Sequence, residues 1–261
     1  VALQTPGNES VQTAKRKKST DCLAIVGTET CCGKTVLLSG MAGALREQGF
    51  KTRAMKPIIL GPSRAAEAEL SFISSVSHTP LGYQQIFTEK SKGLRDTSWH
   101  NAINQNRDGD SLTLIELPGG SATPICFEEN QSESKVVAWH DTADILAQAD
   151  LPCILVAKHA VDAIEQLVLN AYYLTMRRVF VLGLATVETS TGMGLDIENK
   201  MTRDDFAMAL FSRTGAPYLG CIKHSTSISV PRCNQGNLIK LTTAGLDLLT
   251  VLKALNLTVS V

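Results

Sequence analysis

The chain has 261 residues, 44% of them hydrophobic, and Lys+Arg and Asp+Glu both number 25, giving a formal net charge of zero. That length and apolar fraction suffice for one sizeable core, and the balanced charge argues against nucleic acid as the main partner. No apolar run approaches the roughly 18–20 residues of a membrane span, no signal-type apolar stretch opens the chain, and the seven cysteines include no C-x-x-C pair, which reads as free thiols in a reducing, cytoplasmic compartment.

Residues 1–20 are polar, carry the basic run Lys15-Arg16-Lys17-Lys18, and read as a flexible tail ahead of a single domain over 21–261. Leu23-Ala24-Ile25-Val26, ending at Gly27, predicts a buried strand. Lys34 to Gln48 has helical spacing and stops at Gly49. A strand over Thr52 to Met55 and a helix over Ala65 to Ser75 follow, then a polar loop over 89–110. Leu112 to Ile115 predicts a third strand, ending at Glu116 and the turn Pro118-Gly119-Gly120, and 126–136 reads as another loop. Thereafter helices over Thr142–Ala149, Ala163–Met176 and Arg203–Ser212 alternate with strands over Cys153–Val156, Val179–Ala185 and Tyr218–Ile222. One helix over Thr242–Leu255 closes the chain. Apolar strands separated by helices predict an α/β fold: a mostly parallel sheet with helices on both faces.

The first strand feeds Gly27-Thr28-Glu29-Thr30-Cys31-Cys32-Gly33-Lys34-Thr35. Four residues and then Gly-Lys-Thr, between a strand and a helix, is the phosphate-binding P-loop of NTPases. Backbone N–H groups of a tight loop and the positive end of the next helix meet phosphate oxygens. Residues Thr28 to Thr35 are therefore the expected ATP cradle, with Lys34 reaching the β/γ-phosphates and the Thr35 hydroxyl holding Mg²⁺. The strict motif's first glycine is displaced by one residue, to Gly27, and Cys31 and Cys32 read as inert loop residues or, alternatively, a redox switch.

Strand C-termini in such sheets face the ligand crevice. Lys56, after the second strand, would approach the phosphates from the side opposite Lys34. Glu116, at the end of the third, stands where a Mg²⁺ ligand or water-orienting acid sits. Gly119 and Gly120 allow close backbone approach to a ligand.

Together these pieces resemble the dethiobiotin synthetase family, from about residue 22 to 225. The family's loop Gly-Thr-Asp-Thr-x-x-Gly-Lys-Thr is matched with Glu29 for Asp, its Tyr-Lys-Pro by Met55-Lys56-Pro57, and its Val-Glu-Gly-Ala-Gly-Gly by Ile115-Glu116-Leu117-Pro118-Gly119-Gly120. Thr123-Pro124, Leu151 to Val156 and Leu219 to Ile222 continue the match in order. The resemblance implies a homodimer that carboxylates 7,8-diaminopelargonic acid with CO₂. A carbamate forms, ATP converts it to a carbamic–phosphoric anhydride, and the second amine closes a cyclic urea. Lys34 and Lys56 would be catalytic, and Thr35 and Glu116 would hold Mg²⁺ with a third acid that maps onto Glu67 or Glu69.

The substrate half departs from that pattern. Leu60 replaces a serine, the family's Ser-Pro-His element is absent, and Val161-Asp162-Ala163-Ile164-Glu165 replaces Leu-Gly-x-Ile-Asn, so an acidic pair meets a substrate carboxylate. Val187 and Lys223 align with the Asn and Pro near the base. Three readings stay open: a divergent synthetase, a P-loop ligase with another acceptor, and a non-catalytic nucleotide-binding or switch-type protein. Partition and septum-site ATPases carry a signature lysine where Glu29 stands, which counts against the last. His78, His100, His140, His159 and His224 show no metal-ligand spacing, Trp99 and Trp139 lie in loop-like stretches, and Asp141 is either an N-cap or a functional acid.

Overall fold

A computed structural model describes residues 21–59, 63–79, 103, 110–130, 135–192, 194 and 199–257. The expected tail, Leu60, Trp99, His100 and most of the expected 89–110 loop lie outside the described residues.

The central strand β1 (Cys22–Gly27) is buried along its whole length. Its side chains alternate between two cores: Cys22, Ala24 and Val26 enter one, Leu23 and Ile25 the other. A strand covered on both faces has to read as a continuous apolar run. Around it lie β2 (Thr52–Met55), β3 (Leu112–Gly120), β6 (Cys153–Lys158), β7 (Val181–Val187) and β8 (Tyr218–Ile222). They form one parallel sheet in the order β2-β3-β1-β6-β7-β8. Helices α1 (Lys34–Glu47), α2 (Ser63–Ser77), α6 (Leu238–Gly245) and α7 (Leu248–Ala254) share the core of Leu23 and Ile25. Helices α3 (Thr142–Gln148), α4 (Ala163–Met176) and α5 (Arg203–Thr214) share the other. The expected two-faced α/β architecture is therefore present.

From β1 the chain builds β2 and β3 to one side and β6, β7 and β8 to the other. The loop after β1 thus lies at the point where strand order reverses, where open α/β sheets bind ligands.

Three expectations need correction. The third strand does not end at Glu116. It runs through Pro118 to Gly120, because Gly120 stays in register with Gly27 of β1. The stretch read as a loop over 126–136 belongs to an antiparallel hairpin, β4 (Pro124–Asn130) and β5 (Lys135–Asp141), outside the main sheet. Trp139 lies in β5 and is 47% exposed. The closing helix is two helices: Leu246 leaves helical geometry to bridge Gly220, and Asp247 restarts the chain by accepting the Thr250 N–H at 3.0 Å.

Candidate active site

The P-loop begins where β1 stops pairing. The Thr28 N–H still donates to the Val156 carbonyl at 2.8 Å, so Thr28 continues the sheet. Its hydroxyl is buried without a hydrogen-bond partner among the described residues. Glu29, Thr30 and Cys31 are exposed, and Cys32 is buried beneath them. Gly33, at φ 99°, turns the chain into α1 with no side-chain cap. The first N–H groups of α1 have no intrahelical partner, which is what an anion site at a helix start uses.

Lys34 is buried, and its Nζ donates to the Glu29 carbonyl at 2.9 Å and lies 4.0 Å from Cys32 Sγ. Burial pushes the Cys32 thiol up, with Lys34 pulling partly back, which keeps it a protonated packing residue. The Glu29 carboxylate meets Lys158 Nζ, at the end of β6, at 3.1 Å. Both are solvent-accessible, so the pair positions charge more than it stabilises. Lys158 belongs to no recognisable motif, although it ends its strand as Lys56 follows β2.

Glu116 is the hub. It is 1% exposed. Its Oε1 accepts from the Thr35 hydroxyl at 3.1 Å and from Lys56 Nζ at 2.8 Å. Its Oε2 is buried without a partner among the described residues. Lys56 also donates to Glu69 Oε2 on α2. Burial alone would lower the Lys56 ammonium, but Glu116 and Glu69 outweigh it and hold it above the ordinary lysine value. Of the two candidate acids, Glu69 joins this cluster, while Glu67 is exposed, two residues earlier and about 200° round the helix.

Gly119 and Gly120 end β3 against the P-loop. A Cβ on Gly120 would lie 2.5 Å from the Thr28 carbonyl oxygen, so only glycine permits this approach. Asp141 is a cap: it accepts the Asp144 N–H at 2.9 Å in a capping box that starts α3. Asp162 and Glu165, at the start of α4, are exposed. Val187, which aligns with the Asn near the base, packs directly against Gly33 of the P-loop.

Several relatives are named ATP-dependent dethiobiotin synthetase BioD. The one from Bacillus licheniformis is 25% identical over 187 residues, covering 66% of this chain and 75% of that protein. The one from Haloferax mediterranei is 28% identical over 173 residues, covering 62% and 69%. Among solved structures, the MinC:MinD cell division complex of Aquifex aeolicus superposes with a TM-score of 0.50 at 11% identity, covering 85% of this chain and 94% of that one. That likeness supports the P-loop α/β fold. The family model described as AAA domain matches residues 21–232, and the chain belongs to that family.

Proposed function

We propose that the chain is an ATP-dependent ligase of the dethiobiotin synthetase type, joining CO₂ to the two amines of 7,8-diaminopelargonic acid as a cyclic urea. The observation that carries this reading is the continuous contact from Thr35 through Glu116 and Lys56 to Glu69, at the start of the P-loop helix. Relatives bearing the synthetase name support the reaction class.

The donor set fits Mg²⁺. One hydroxyl and two carboxylates are hard oxygen ligands, and the buried Glu116 Oε2 lacks a protein partner among the described residues. Thr35, Glu116 and Glu69 would hold the ion, which when bound neutralises charge on the phosphate oxygens. The remaining work belongs to the chain. The loop from Glu29 to Gly33 and the N-terminus of α1 cradle the triphosphate. Lys34 and Lys56 offset charge on the transferring phosphoryl group. Lys56 stays charged because two carboxylates hold its proton. The substrate carbamate takes the phosphoryl group, ADP leaves, and the second amine displaces phosphate to close the ring. Positioning and charge stabilisation are the protein's contributions.

We further propose a homodimer through α4. Leu169, Tyr172 and Met176 are 58%, 56% and 80% exposed, and their spacing puts them on one helix face. One observation favours a different acceptor: Asp162 and Glu165 stand where the family receives a substrate carboxylate, and both are exposed acids. Diamine-dependent ADP release decides between the two.

A further inference from the structure

We propose that His159, Glu188 and Cys221 form a zinc-class metal site whose fourth position opens into the cavity between β8, α5 and α6. The site adjoins the P-loop, because Lys158 before His159 pairs with Glu29 and Val187 before Glu188 packs against Gly33, but it uses none of the cradle's own residues and does not rest on the ligase reading.

Three neighbouring strands deliver these residues. His159 follows β6, Glu188 follows β7, and Cys221 lies near the end of β8. Backbone hydrogen bonds lock the ends together: His159 N–H donates to Val187 O and Glu188 N–H to Ile222 O, both at 2.9 Å. One nitrogen, one carboxylate oxygen and one sulfur from the three side chains all lie within 4.8 Å of one another. A Cβ on Gly194 would meet Glu188 Oε1 and His159 Cδ2 at 2.5 Å and His159 Nε2 at 3.1 Å, so the two side chains converge on one point of the backbone and only glycine fits against them.

The surroundings match a metal centre. His159 is 6% exposed, and its Nδ1 lies 3.0 Å from Thr186 Oγ1, which is 2.7 Å from the Tyr218 hydroxyl. Metal-bound histidines carry such a partner on the other ring nitrogen, which fixes the ring. Nitrogen, sulfur and one carboxylate select zinc over magnesium or calcium. His159 and Cys221 line a cavity of about 290 Å³ together with Arg203, Phe206, Tyr218 and Lys223. Three protein ligands with an accessible fourth position suit a metal that takes water or a small ligand.

The Glu188 carboxylate already attracts a cation. Its Oε1 accepts from Lys223 Nζ at 3.0 Å and its Oε2 from the His224 N–H at 3.1 Å. The Lys223 side chain is 46% exposed, so it can swing away when a divalent ion takes its place. Lys223 is therefore a competitor, and removing it strengthens metal binding.

Cobalt(II) titration of the full chain, followed by absorption spectroscopy, tests the site. One equivalent should bind with tetrahedral d–d bands and a thiolate-to-cobalt charge-transfer band, and zinc should displace it. Cys221→Ser should abolish the charge-transfer band, whereas Cys233→Ser should keep it. Thr186→Val should weaken binding about tenfold. Lys223→Met should tighten it by up to about fivefold. Circular dichroism checks each variant's fold. Should Cys221→Ser fail to fold, His159→Gln and Glu188→Gln carry the test, each expected to lose about tenfold or more in affinity. A charge-transfer band that survives Cys221→Ser, or cobalt binding that none of these substitutions moves, overturns the proposal.

Discussion

Lys56 and Glu116 form a buried ion pair: Nζ to Oε1 is 2.8 Å, with the side chains 8% and 1% exposed. Removing the lysine alone strands a carboxylate in the core. Lys56→Met is therefore expected to cost about 3–5 kcal/mol, and the double variant Lys56→Met/Glu116→Gln to regain part of it. Urea denaturation of the two variants and their parent checks this. The Lys56 value is raised on folding, so the contribution of its own titration is fully present below the unfolded lysine value of about pH 10 and is lost as pH rises through the higher folded value. Lys56 should add no slope to stability between about pH 6 and 9.

Gly120→Ala should act on both stability and nucleotide affinity. The added Cβ meets the Thr28 carbonyl at 2.5 Å, and backbone there has to move. Overpacking of this kind costs about 1–3 kcal/mol, or about 2–4 °C in melting temperature per kcal/mol at this size. Calorimetry with and without ATP measures both effects. An unshifted melting temperature would show that the P-loop and β3 are not held as described.

The cysteines should separate by burial. Cys31 and Cys233 are exposed, whereas Cys22, Cys32 and Cys153 are buried. Burial pushes Cys153 up to about 12 and Cys221 up to about 11. Alkylation near about pH 8, mapped by mass spectrometry, should label Cys31 and Cys233 first among these six. Of these two exposed thiols, ATP with Mg²⁺ should slow only Cys31, which lies in the P-loop. Equal protection of Cys233 would point to a global effect instead.

The exposed face of α4 predicts association. Sedimentation should give a dimer for the parent chain, and Tyr172→Glu or Met176→Glu should shift it to monomer, because an apolar patch tolerates no buried unpaired charge. A monomeric parent would contradict the homodimer, and variants that stay dimeric would place its interface elsewhere.

Much of the site was legible because its parts are local in sequence. The P-loop reads directly off Gly27 to Thr35, and Lys56 and Glu116 both follow apolar runs that become parallel strands. The choice between Glu67 and Glu69 needed the phase of α2, which alignment with a departed family pattern does not supply. The hairpin of β4 and β5 is masked in the sequence because Glu128-Glu129-Asn130-Gln131 interrupts its apolar residues with a polar run, and its strands pair outside the main sheet. The break at Leu246 and Asp247 carried a signal, Gly245 before an aspartate, that helical spacing across Thr242 to Leu255 masked. His159, Glu188 and Cys221 have no spacing to recognise. Only the adjacency of β6, β7 and β8 brings them together.

The most direct measurement is ADP release from ATP and Mg²⁺ with bicarbonate, in the presence and absence of 7,8-diaminopelargonic acid, with Lys34→Ala as the control. Strong diamine-dependent release, with dethiobiotin as product and loss of activity in Lys34→Ala, is the expected result. ADP release that the diamine does not stimulate, in protein that binds ATP, would contradict the synthetase reading and assign the phosphate cradle to another acceptor.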